Sequence, residues 1–126
     1  MQGKQLGSFG EKIAENFLKK RGYKILDRNY YSKFAAGPLR GEVDIVAKRD
    51  NVISFIEVKT LLSQEAFLPE DKVDWKKQRK LVRTAESWLM KNRIPLESPW
   101  QIDVVAIITD FSRKSAKIRH FKNAIC

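Results

Sequence analysis

The sequence holds a single cysteine, Cys126, and a single histidine, His120. One cysteine closes no internal disulfide, and one thiol with one imidazole makes no metal cluster. A nucleophilic triad would have to be built around that lone late histidine, so His120 reads as structural or solvated. There is no glycine-rich phosphate loop, no internal repeat and no low-complexity stretch. No apolar run approaches the ~18 residues of a membrane span. Met1 to Lys20 is polar and lacks the apolar region of a secretion signal. The expectation is a cytoplasmic protein without a membrane partner. Acid is also scarce: 15 Asp and Glu stand against 25 Lys and Arg, a net charge of +10. That balance points to a polyanionic partner, nucleic acid ahead of an acidic membrane surface. A solubilising basic surface would give the same count.

What is present is enough for a core. The apolar share is 43% of 126 residues, which suits a single domain over residues 1–126. Ser8-Phe9-Gly10-Glu11 has capping-box spacing and predicts a helix from that point. Ile13, Ala14, Phe17 and Leu18 would form its apolar face, and Arg21-Gly22 its end. Tyr23 to Tyr31 reads as a strand and Ser32 to Arg40 as a loop containing Gly37-Pro38. Gly41 to Arg49 and Val52 to Thr60 read as a hairpin turning at Asp50-Asn51. Leu61 to Asp71 shows no period and reads as a flexible segment. A long helix is predicted from about Asp71 to Asn92, with Leu81, Val82, Ala85, Trp88 and Leu89 buried. Trp100 to Thr109 is a strongly apolar, central strand, and Ala116 to Phe121 a short final one. The predicted order is α-β-β-β-α-β-β, an α/β fold with a mixed sheet flanked by helices.

The hairpin carries the chemistry. With Asp50-Asn51 at the tip, Arg49 opposes Val52, Asp44 opposes Glu57, and Glu42 opposes Lys59. Two carboxylates facing one another repel unless a cation lies between them. Hard divalent ions such as Mg2+ take one or two carboxylates with waters and phosphate oxygens. Asp44 and Glu57 supply two such ligands, and the carbonyl of Val58 a third oxygen. Lys59, two residues beyond Glu57 on the same face, can orient or help deprotonate an attacking water and offset charge on a phosphate. Glu42 and Lys59 also suit an ordinary cross-strand ion pair, and charged strand residues often form a solvated face.

These residues resemble a known pattern. Asp44 followed one hairpin later by Glu57-Val58-Lys59 is similar to the PD-(D/E)XK nuclease signature of the restriction-endonuclease-like fold, without its proline. The wider text resembles the YraN-like family: Gly10-Glu11, Arg28-Asn29, Gly41-Glu42-Val43-Asp44-Ile45-Val46-Ala47, Phe55-Ile56-Glu57-Val58-Lys59-Thr60, Lys77-Gln78-Arg79 with Ala85, Ile102-Asp103-Val104-Val105, and Asn123-Ala124. The resemblance implies a single endonuclease-like domain, similar in layout to archaeal Holliday junction resolvases. It implies Asp44, Glu57 and Lys59 as catalytic residues, with Mg2+ or Mn2+ as cofactor. It adds Glu11 as a further metal ligand, although the capping box with Ser8 also accounts for Glu11. Glu42, Lys77 and Gln78 are possible additional site residues. Two positions depart from the family: Leu61 stands where an arginine usually follows Thr60, and Gln101 where a basic residue often precedes the late strand. Both remove positive charge near the expected substrate path. Asp103 reads as a buried acid held by hydrogen bonds.

Lys72, Trp75, Lys76, Lys77, Arg79, Lys80 and Arg83 form a basic, aromatic helix start suited to phosphates and a stacked base. Tyr30-Tyr31 with Lys33 offers a second such patch. Neither has base-reading spacing, so binding directed by backbone or shape is expected. A solvated basic helix face is the plainer account. The sequence thus reads as a metal-dependent nuclease acting on DNA, with branched or structured DNA and a homodimer suggested by the resolvase-like layout. The alternatives are a nucleic-acid-binding module without catalysis, and an RNA-processing nuclease.

Overall fold

The computed structural model describes residues 3–32, 41–62, 75–110 and 114–124. Its elements follow the predicted order: α1 (Gly3–Lys20), β1 (Lys24–Tyr31), β2 (Glu42–Arg49), β3 (Val52–Leu62), α2 (Trp75–Lys91), β4 (Trp100–Asp110) and β5 (Ser115–Phe121). The expected loop at 33–40, the aperiodic segment beyond Leu62 and the predicted start of the long helix at 71–74 lie outside the described residues.

Asp50 and Asn51 take φ values of 51° and 67°, the mirror-image turn that matches strand twist in a two-residue hairpin. The turn sets the predicted register, with Arg49 against Val52 and Ile45 against Ile56. The sheet runs β1-β2-β3-β4-β5. The β3–β4 pair is parallel and the other three are antiparallel. A parallel neighbour needs a long crossover, which α2 occupies.

Both faces of this sheet are buried, by different helices. On one, Val46, Phe55, Val104 and Ala106 pack with Leu81, Ala85, Trp88 and Leu89 of α2. Phe55 meets Trp88 and Trp100 edge-on, with ring centroids 5.6 and 5.7 Å away, the geometry aromatic quadrupoles favour. On the other face, Ile45, Ala47, Ile56, Val105 and Ile107 pack with Ala14 and Leu18 of α1. The strand face shared by Asp44 and Glu57 is therefore core for part of its length and ends in charge.

The first helix departs from expectation at its start. It begins at Gly3, so Ser8 lies inside it and cannot cap it. A Ser and a Glu three apart also occur within helices, and here the capping explanation of Glu11 falls away. The other end is as read. Gly22, at φ 88°, bonds to Lys19 O at 3.1 Å, and Tyr23 N bonds to Leu18 O at 3.0 Å, a Schellman ending with Tyr23 and Leu18 buried together. Strand β1 is irregular. The register shifts between Ile25 and Asp27, and Asn29 takes a φ of 50°. Arg28 meets Glu15 of α1, donating from Nε to Oε2 at 2.8 Å, and holds the Glu15 carboxyl down at about 2. On the α2 side, Trp88 Nε1 donates to Asp27 Oδ2 at 3.0 Å. No helix among the described residues is long and apolar enough to cross a membrane.

Candidate functional site

Residue pairing between β2 and β3 stops at Ile45–Ile56. In the alternating antiparallel pattern, the next ladder bond of Val58 N–H would go to the Val43 carbonyl. Val58 N instead donates to Asp44 Oδ2 at 2.7 Å. A side chain has replaced a rung of the ladder, at the point where β2 continues along β1 and β3 along β4. Glu57 stands on the next residue of β3 and is buried, at 8% exposure. Its Oε1 is met by Lys77 Nζ, from the first turns of α2, at 2.5 Å.

Two glycines let the helices close on this point. A Cβ on Gly10 would fall on Thr60 Oγ1 and 3.2 Å from Thr60 Cβ. Only glycine lets α1 lie this near β3, and the approach brings Glu11 to the acids. Gly41 does the same for α2: a Cβ there would lie 2.8 Å from Thr84 Oγ1 and 3.0 Å from the Lys80 carbonyl. That carbonyl also accepts the Thr84 hydroxyl at 2.7 Å. Thr60 Oγ1 is itself buried with no hydrogen-bond partner among the described residues.

The electrostatics follow from burial and crowding. Burial pushes the Asp44 carboxyl up to about 7, with the Glu57 charge as the next cause; the Val58 N–H opposes the rise, and Glu11 and Glu42 add to it. Burial likewise raises Glu11, followed by repulsion from Glu42, while a hydrogen bond with Asn29 pulls it back. Asp44 and Glu11 therefore sense the charges around them, and Asp44, buried in such company, holds its proton more tightly unless a cation offsets the repulsion. Among the described residues no three His, Cys, Asp or Glu side chains converge as a preformed metal cage. Two coupled carboxylates, Asp44 and Glu57, fit a hard divalent ion whose remaining ligands are water and substrate oxygens.

The other sequence candidates divide. Glu42 is exposed at the start of β2, where it pairs with Tyr31 of β1; its expected pairing with Lys59, like that of Asp44 with Glu57, lies past the end of the β2–β3 ladder, and Asp44 meets the Val58 N–H instead. Lys59 is half-buried on β3, beside Ala106 of β4. Lys77, Gln78, Arg79, Lys80 and Arg83 lie along the first turns of α2, with Arg79 and Arg83 exposed. Trp75 and Lys76 open that helix, and Lys72 lies outside the described residues. Leu61, where an arginine was expected, packs against the α2-side core.

Asp103 is fully buried and is held as the sequence suggested. It accepts from Gln101 Nε2 at 2.9 Å and Asn123 N at 2.8 Å, and its Oδ2 lies 2.8 Å from His120 Nε2. Gln101 thus orients a buried carboxylate, level with Ser54 rather than with Glu57. His120 is packed between that acid and the rings of Phe17 and Tyr23. The residue missed in sequence is Asn29, the partner of Glu11; its signal was the Arg28-Asn29 pair quoted above, without a role.

A family model described as "Uncharacterised protein family UPF0102" matches residues 10–107. The match runs from the glycine that meets Thr60 to the buried part of β4. A UPF0102 protein of Clostridium botulinum (strain Loch Maree / Type A3) is 37% identical over 121 residues, covering 96% of this chain and 94% of its own length. One from Alkaliphilus oremlandii (strain OhILAs) is 37% identical over 121 residues, covering 96% of this chain and 97% of its own.

Proposed function

The chain belongs to UPF0102, the YraN-like family its residues suggested, and on that footing we propose that it is a metal-dependent nuclease of restriction-endonuclease-like fold that hydrolyses phosphodiester bonds in DNA. The observation that carries the reading is the Asp44 carboxylate closing on Val58 N–H beside buried Glu57. Mg2+ or Mn2+ would be held by Asp44 and Glu57, with the Val58 carbonyl and Glu11 as further oxygens. Such an ion supplies a polarised phosphate oxygen and a water of lowered pKa.

This chain's own residues would do the rest. Lys59 would orient the attacking water and offset charge on the phosphate. Asp44, poised near neutrality, would give up its proton as the cation arrives. Lys77, now on Glu57, would move to a phosphate oxygen when the ion takes that carboxylate. Arg79, Lys80 and Arg83 would follow the backbone; Lys72, Trp75 and Lys76 are proposed for the same role from the sequence. The +10 charge supports a nucleic-acid partner. Branched or structured DNA and a homodimer are drawn from the resolvase-like layout, which is analogy.

One observation favours a second reading, a nucleic-acid-binding module without turnover: an ammonium already sits on Glu57. A single panel separates them. Duplex, junction, flap and single-stranded DNA and RNA are each incubated with Mg2+ and with Mn2+, using wild type and Asp44→Asn. The nuclease reading expects cleavage by wild type and a loss of about a hundredfold or more in Asp44→Asn. Tight, salt-sensitive binding with no cleavage of any substrate would leave the binding module.

A further inference from the structure

Away from the acids, a cavity of about 640 Å³ opens between β1 and the last turns of α2. Tyr30, Tyr31, Asn29, Ser87, Met90 and Lys91 line it. Tyr31 and Met90 remain 43% and 62% exposed, although both are large and apolar. Tyr30 is a fixed wall: its hydroxyl lies 2.8 Å from Ser87 Oγ, and Lys91 Nζ stands 5.4 Å from its ring centroid. The positive φ of Asn29 falls between Arg28, which meets α1, and Tyr30, which meets α2. Tyr30 and Tyr31 are consecutive strand residues and diverge, Tyr30 into the wall and Tyr31 to the rim. Because β1 is an edge strand, no strand among the described residues covers the outer side of the cavity.

We propose that this cavity receives an unpaired base of the nucleic-acid strand that lies across the acids. The proposal rests on the nucleic-acid reading above and narrows it to strands with an unstacked nucleotide. Three features fit that occupant. The volume lies within the range of small-ligand sites, and a concave site of this kind admits a base only after it leaves its stack. An exposed tyrosine with a methionine beside it is a surface for a π-face, and the lysine at its edge matches a phosphate in charge. Position is the third. Tyr31 pairs with Glu42, two residues before Asp44 and so about 7 Å along the strand from it. A base held at Tyr31 would therefore present a nearby phosphodiester to Asp44 and Glu57.

Met90 supplies the readout, since the only other methionine is Met1. The Met90 methyl signal, assigned with Met90→Leu, is followed by NMR without metal. One titration uses a short unstructured DNA strand, the other the blunt duplex made by annealing its complement. The single strand is expected to move the Met90 methyl upfield through the ring current of the stacked base, and the duplex to leave it in place. Tyr31→Ala is expected to weaken the single strand about tenfold, the loss of one stacked base, and the duplex by less than about twofold. Both ligands binding with no Met90 response, or Tyr31→Ala weakening both equally, would overturn the proposal and spare the nuclease reading. Neither ligand binding would overturn both. A Met90 response to the single strand with no cleavage under any metal would sustain the cavity and remove the hydrolysis. A Met90 shift that follows protein concentration without nucleic acid would place a second copy there and overturn the proposal.

Discussion

Asp44 is the residue on which most consequences turn. Its carboxyl is raised from an ordinary 3.8 to about 7. Between those values the folded chain holds a proton that the unfolded chain has released, so stability falls as pH rises through that window. Asp44→Asn keeps an acceptor for Val58 and removes the charge. It is expected to raise the Tm of the metal-free protein at about pH 8 and to flatten the loss between about pH 4 and 7, an effect on the order of 4 kcal/mol. An unchanged Tm profile in Asp44→Asn would refute the shift. Ion binding requires the same deprotonation, so Mn2+ affinity measured by calorimetry should fall about tenfold per pH unit below about 7. Lys77 sets a second competition. Its ammonium occupies the Glu57 oxygen an ion would use, so Lys77→Met is expected to tighten Mn2+ severalfold while weakening DNA. Looser Mn2+ binding in that variant would make Lys77 a support of the site.

Elements show why some of this was legible beforehand and some was not. Strand alternation and an Asp-Asn turn are local properties, so the β2–β3 register from Arg49–Val52 to Ile45–Ile56 could be read directly. The end of the ladder could not be. It depends on β2 leaving β3 for β1, a choice made by tertiary packing. The start of α1 was misread because a serine and a glutamate three apart are equally at home inside a helix. Tyr30-Tyr31 read as one patch, yet they separate, 8% against 43% exposed, because neighbouring residues of a strand point to opposite faces. The sequence motif that holds Gly10 does not show why glycine is needed there; contact with Thr60 does. Gly10→Ala should cost about 1–3 kcal/mol by forcing α1 off β3. Adding Thr60→Ala removes the oxygen in the way and should return part of that cost, measured by urea unfolding as a double-mutant cycle. Simple additivity would mean that the two residues do not press on one another.

At the scale of the whole molecule, the two helices cover opposite faces of one sheet and both reach the place where β2 and β3 part. Asp44 and Glu57 are thereby set back within a chain of net charge +10. The excess of lysine and arginine makes a polyanion a tenable partner, since its phosphates can track those cations. Contact with about four phosphates predicts an affinity that falls about tenfold with each doubling of salt; a flat salt dependence would exclude them. The rung of the ladder that Asp44 replaces has one more consequence. The amide proton of Val58 is shielded by a carboxylate, whereas that of Ile56 belongs to the sheet. In deuterium exchange, Asp44→Ala should therefore unmask Val58 while Ile56 stays protected. A single hydrogen atom on the backbone becomes a gauge of where that carboxylate is.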